Sequence, residues 1–267
     1  MDLSERGAGE ARHPWELVRA DFFRRLIQSH VDLSRLSSLV DVGAGDGWFA
    51  QELLPMLPLS ATVTCWDINY SSEDLAADLP ERVIRTVTRP VDTGPVDTRP
   101  EDGRAVEPQT SEPGRLVTLL DVLEHIPDDR GFLRDELVPL VGENGTLIIS
   151  VPAHPRLFSE HDTALGHERR YRRTELLSRI SENFQVIESG PLFSSLLAPR
   201  AVQVALERLG RRSGEQGIGG WSHGRMLTNS VRGTLAFDAW LGRWSAQHHI
   251  NLPGLSVWAV CKPLGIA

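Results

Sequence analysis

Cysteine is nearly missing from this chain: there are two among 267 residues, Cys65 and Cys261, far apart in apolar, strand-like segments. Small buried thiols are ordinary in such places, so neither a disulfide framework nor a cysteine-based zinc site is indicated, and a reducing compartment fits. Long apolar runs are also missing. None approaches the roughly 20 residues that cross a bilayer, and the opening "MDLSERGAGEARHPWE" has no basic-then-apolar leader. The expectation is a cytoplasmic protein with no membrane partner. Positive charge is in deficit, with 28 Lys and Arg against 36 Asp and Glu and a formal net charge of -8. That leaves no broad basic surface for a phosphate backbone, so nucleic acid is not an expected partner. A small molecule is, and a partner protein or a homo-oligomer is compatible with the sequence.

What is present is 40% hydrophobic and 24% charged residues, enough for a sizeable core. Strand-like and helix-like patterns alternate, which favours a parallel sheet covered by helices. "WELVRADFFRRLIQSHV" places Leu17, Phe22, Leu26 and Ile27 near helical spacing. The strand candidates are "SLVDVG", "ATVTCWDIN", "VIRTVT", "RLVTLLD", "TLIISV", "FQVIESG" and "GLSVWAVCKP". The proline- and acid-rich stretch at about 89–115 reads as a loop inside one domain spanning 1–267, because strand patterning resumes directly after it. The segment at about 194–251 reads as a helical cap over the sheet edge, with Leu235, Phe237 and Trp240 expected in its core.

The strongest chemical signal is "VDVGAGDG". Glycines at a strand-to-helix turn let the backbone approach a ligand without a Cβ clash and present amides to it. Asp67 ends "VTCWD" roughly 20 residues later, where dinucleotide-type sites place the acid that takes a ribose hydroxyl pair. Pyrophosphate is disfavoured, since Gly43, Gly45 and Gly47 alternate instead of following GxGxxG and Asp41 and Asp46 bring negative charge to the turn. A nucleoside with a cationic substituent suits the turn better.

"VDVGAGDGWFA", "VTCWDIN" and "LLDVLEHIPDD" together resemble the class I S-adenosylmethionine-dependent methyltransferases, over about Trp15 to Glu175. The resemblance implies a Rossmann-like α/β fold, a mostly parallel sheet with an antiparallel last strand and a helical cap, and S-adenosylmethionine as cofactor. It further implies that Gly43, Gly45 and Gly47 pass under the methionine and ribose parts while Asp41 orients the turn. Asp67 would bind the ribose hydroxyls, Ile68 would pack on adenine, and Leu120 and Asp121 would face the methionine moiety. Trp15 and Arg19 would close over the cofactor. The family's adenine-binding acid after the third strand has no clear counterpart here, with Asp92 and Asp97 as candidates.

His125 follows the fourth strand and is a candidate general base or, equally, a brace that shapes the pocket. "SVPAHPRLFSEHDTALGHERRY" follows the fifth strand, at the carboxyl edge where open α/β sheets bind ligands. It resembles a lid or substrate wall of bacterial relatives, making His154, Glu160 and His161 pocket candidates, with His154 and His161 also possible proton carriers. Arg169, Arg170 and Tyr171 suit recognition of an anionic acceptor group, or else a solvated helix approach that pairs Glu168. His154, His161 and His167 show neither the i, i+4 pairing of a helical zinc site nor a compact ligand pair, so no metal is expected. Trp221, His223, Asn229 and Asp238 are weaker pocket candidates. The expected function is methyl transfer to a small molecule in bacterial secondary metabolism. The alternatives are a methyltransferase fold repurposed for cyclisation, elimination or hydrolysis, and a non-catalytic cofactor-binding subunit.

Overall fold

The computed structural model describes residues 12–77, 79–90, 114–210 and 224–264. Asp92 and Asp97 in the proline-rich loop, and Trp221 and His223 in the glycine-rich stretch, lie outside the described residues.

The strands are β1 (Leu36–Val42), β2 (Thr62–Trp66), β3 (Val83–Thr86), β4 (Gly114–Leu120), β5 (Thr146–Pro152), β6 (Phe184–Leu192) and β7 (Ser256–Pro263). They form one seven-stranded sheet in the order β3-β2-β1-β4-β5-β7-β6. β1 to β5 pair in parallel, and β7 runs antiparallel to both β5 and β6. The order reverses between β1 and β4, so the loops leaving these two strands part and open a crevice at the carboxyl edge.

Side chains alternate between two cores, one on each face. In β7, Trp258 and Val260 enter one core while Val257, Ala259 and Cys261 enter the other. Cys65 and Cys261 lie in different cores and both are free. The first face is covered by α1 (Pro14–His30), which opens with a proline and buries Phe23, Leu26 and Ile27 completely at helical spacing. α2 (Trp48–Leu53) follows the glycine turn, and α3 (Ser72–Ala76) is started by a capping box between Ser71 and Asp74.

The segment "FLRDELVPLV" is helical, as its pattern predicts, but not uniformly so. α4 (Asp129–Gly131) leads through a π-helical stretch, Phe132–Leu137, into α5 (Val138–Val141). Pro139 has no N–H to donate in a regular α ladder, and the wide turn just before it absorbs the interruption. α6 (Glu160–Ala164) and α7 (Arg173–Ile180) follow β5.

α8 (Leu197–Arg208) and α9 (Arg225–Gln247) make up the helical cap, and α9 packs on α1 and on the edge strand β6. Its buried stripe is Leu235, Asp238, Ala239, Gly242 and Ser245. Phe237 and Trp240 fall on the opposite side of that stripe. They are 62% and 58% exposed and stacked on each other, so the expectation of core positions is corrected for both. Asp238 is also a structural group: its carboxylate accepts from the Ser194 and Ser195 amides and from the Ser195 hydroxyl. Asn229 lines a surface groove between α9 and α1. No helix among the described residues is long and apolar enough to cross a membrane.

Candidate functional site

β1 ends at Val42 and the chain turns through Gly43, Gly45 and Gly47, all at positive φ (66°, 55° and 73°). At Gly43 a side chain is excluded twice over, since a Cβ would also sit 2.3 Å from Val122 Cγ2. The Gly43 amide donates to Trp66 O at 2.7 Å, tying the turn to the end of β2. Asp67, the next residue, is nearly buried; Oδ2 accepts from the Gly45 amide and Oδ1 from the Asn69 amide, both at 2.9 Å. The carboxylate thus holds the glycine turn in shape, and each oxygen keeps acceptor capacity for a ligand. Ile68 beside it is 75% exposed, an apolar face at the mouth of the crevice.

Two clefts meet at Gly43. The first lies between the turn and α1 and is walled by Trp15, Glu16, Arg19, Phe23, Asp41 and Leu120. The second, the roomier of the two, is walled by Asp67, Ile68, Asp121, Val122, His125 and Phe132. The fold therefore gathers the sequence candidates Arg19, Asp41, Gly43, Asp67, Ile68, Leu120, Asp121 and His125 on one crevice.

The first cleft is acidic, with Glu16, Asp41 and Asp46 in its lining. Asp41 is buried and accepts from Thr118 Oγ1 at 2.6 Å; burial pushes its carboxyl up to about 6, against the lowering effect of that hydrogen bond. Glu16 is buried with Oε1 lacking a hydrogen-bond partner, and burial raises its proton affinity more than Arg12 lowers it. Arg12 approaches Glu16 at 3.7 Å, pairs with Asp46 of the glycine turn and lies over the Trp48 ring at 4.0 Å. Arg19 pairs with Asp121 at 2.9 Å and reaches Ser150 Oγ at 3.3 Å, while Ser150 donates to Asp121 Oδ1 at 3.0 Å. α1 is thereby fastened to the ends of β4 and β5. Sequence reasoning missed Arg12 and Glu16. The available signal was their spacing of four residues at the entry to the helix that carries Arg19.

The segment after β5 is built around Asp162, which is fully buried. It accepts from Arg170 Nε at 2.7 Å, Arg200 Nη2 at 2.9 Å and the Ser159 amide at 3.0 Å, and it contacts His167 Nδ1 at 3.0 Å. The His167 hydrogen bond and the Arg170 and Arg200 guanidinium groups hold its carboxyl well below the usual range despite burial. Glu160 is exposed at the start of α6. His154 sits at φ 59°, its amide donating to Tyr171 O and its Nε2 buried without a partner. Burial first and Arg200 second lower the proton affinity of His161. Neither His154 nor His161 is among the residues lining the two clefts.

Tyr171 and Arg169 need correction. Tyr171 is fully buried, its hydroxyl donating to Asp129 Oδ2 at 2.7 Å, with Leu123 O 3.2 Å away. Arg169 pairs with Asp129 at 3.1 Å and donates to Pro127 O. Arg179 also pairs with Asp129. Recognition of an acceptor anion is thus not open to Tyr171, and the Arg169 fork is spent on an internal brace. Arg170 is likewise committed to Asp162 and to Ala153 O.

Residues 15–189 match the family model described as a methyltransferase domain. No curated protein matches the chain. Among solved structures, an S-adenosylmethionine-dependent methyltransferase from Mesorhizobium loti is similar at 12% identity and a TM-score of 0.49, over 92% of this chain and 99% of that one. One from Archaeoglobus fulgidus is similar at 11% identity and a TM-score of 0.46, over 92% and 96%. The sequence match carries the assignment: the chain belongs to the methyltransferase-domain family. It is a class I S-adenosylmethionine-dependent methyltransferase, with the strand order and glycine turn of that class.

Proposed function

We propose that this enzyme methylates a small molecule in a bacterial biosynthetic pathway, working in the cytoplasm as one unit over residues 1–267. The observation that carries the reading is the pair of small clefts joined at Gly43, one acidic and walled by α1, the other opening beside Asp67 and His125. The acidic charge balance adds to it, since it provides no broad surface for a nucleic-acid acceptor.

The residues fit the cofactor. The glycine turn is a cradle that a Cβ at Gly43 would fill, and Glu16 Oε1 is an orphaned buried acceptor in the cleft next to it. Asp67 takes the ribose hydroxyls and Ile68 supports adenine. Glu16 and Asp41 face the cationic amino group, and Arg19 and Trp15 close the cleft from α1 over Leu120. S-adenosylmethionine, when bound, supplies a methyl group already activated by its sulfonium. The chain's own task is then mainly to align and to exclude water. His125 and Asp121 stand on the wall that faces the acceptor, joined there by Leu165 of the segment after β5, while Glu160, His154 and His161 lie behind that wall.

The test is an acceptor screen by mass spectrometry, with S-adenosylmethionine and a panel of phenols, carboxylic acids and amines, and with RNA as a competing substrate. Gain of one methyl group by a small molecule, matched by demethylated cofactor, is the expected result. Methylation confined to RNA overturns the small-molecule reading. Cofactor binding with turnover but no methylated product favours the repurposed fold.

A further inference from the structure

The sequence spacing of His154, His161 and His167 argues against a metal, but the fold assembles a different trio. One ligand atom each from Glu124, His125 and His167 lie within 4.8 Å of one another. Glu124 and His125 belong to the short turn after β4, and His167 arrives from the segment between α6 and α7. The His125 and His167 rings meet edge to face with centroids 4.7 Å apart.

Three observations separate this cluster from an ordinary group of polar residues. Glu124 is fully buried and neither of its carboxylate oxygens has a hydrogen-bond partner. A buried carboxylate in that condition costs several kcal/mol unless a cation or a proton compensates it. Second, His167 already uses Nδ1 on the buried carboxylate of Asp162 at 3.0 Å. Metal-ligating histidines characteristically place one ring nitrogen on such a carboxylate, which fixes the ring and leaves the other nitrogen, here Nε2, for the ion. Third, His125 lines the second cleft beside Asp121, so the cluster has an open side toward the crevice.

We propose that Glu124, His125 and His167 bind a divalent first-row transition ion, with Asp162 as the positioning residue for His167 and the open coordination positions facing the second cleft. Two imidazoles and one carboxylate form a borderline donor set suited to such an ion and not to an oxygen-only cage for magnesium or calcium. Bonds of about 2.1 Å hold neighbouring ligands roughly 3 to 3.5 Å apart, so the trio closes on the ion by about an ångström. Its role in the reaction rests on the methyl-transfer reading: on the acceptor side of Gly43 the ion holds an acceptor oxygen at a fixed place and favours its ionised form. The acceptors then expected are those with a coordinating hydroxyl or carboxylate.

The test uses the full chain stripped with a chelator, titrated with Co²⁺ and Zn²⁺ without S-adenosylmethionine or acceptor, so that its failure leaves the methyl-transfer reading standing. The wild type should bind one ion per chain and develop the visible absorption of histidine-bound Co²⁺. Glu124→Gln and His167→Ala should each bind at least about 10-fold more weakly, since even outer-shell losses cost that much. His248→Ala, on an exposed residue at the end of α9, should bind like the wild type. Thermal unfolding of each metal-free variant checks its fold, and His167→Gln replaces His167→Ala if the latter does not fold. Absence of stoichiometric binding, or binding unchanged in both ligand variants, overturns the proposal.

Discussion

Individual side chains were legible where their role depends on a strand end, and illegible where it depends on elements crossing. Asp41 and Asp67 follow from position alone, at the end of β1 and directly after β2. Glu16 and Arg12 do not, because only the packing of α1 across the glycine turn brings them to the first cleft. Tyr171 misled for the same reason: its partner Asp129 lies on α4, which sequence spacing does not place nearby. Two predictions belong here. Glu16→Gln removes a buried carboxylate from the first cleft and should weaken S-adenosylmethionine binding by roughly 10-fold, or about 1.4 kcal/mol, read by calorimetry. Asp41 titrates near 6 in the free protein because burial disfavours its charge. A cationic ligand favours the ionised form and lowers that value, so binding releases a proton below it. Affinity should therefore rise with pH up to about 6 and level off above, and Asp41→Asn should flatten that dependence.

Among the elements, the seven strands and most of the helices could be read from periodicity, whereas the sidedness of α9 could not. The buried stripe of α9 carries Asp238, Gly242 and Ser245 while Phe237 and Trp240 face out, so hydropathy points to the wrong side, and the close approach of α9 to β6 selects the other. That approach depends on Gly242, where a Cβ would lie 2.6 Å from Pro191 O. Gly233 on the same helix is exposed, with nothing within 4 Å of a Cβ. Alanine at the two positions should act with opposite sign. Gly233→Ala gains helix propensity and should stabilise by up to about 1 kcal/mol, while Gly242→Ala should destabilise by about 1–3 kcal/mol through overpacking against a backbone oxygen. Urea unfolding of the pair measures both. The segment after β5 is held from within by Asp162, so Asp162→Ala, which leaves Arg170 and Arg200 buried without their anion, should cost about 3–5 kcal/mol in the same assay.

For the molecule as a whole, the strand order brings the glycine turn, Asp67, the end of β4 and the segment after β5 to one edge of one sheet. The motifs announced this arrangement because each lies at the carboxyl end of a parallel strand, where a crevice must open. Tertiary pairings such as Glu124 with His167 were not announced, since nothing local in either segment encodes the other. The account stands on the glycine turn and Asp67 forming a cofactor site. Calorimetric titration of S-adenosylmethionine into the wild type and Asp67→Ala tests it most directly. The prediction is one site per chain in the wild type and affinity lower by at least about 10-fold, or 1.4 kcal/mol, in the variant. No binding by the wild type, or equal binding by both proteins, would contradict it.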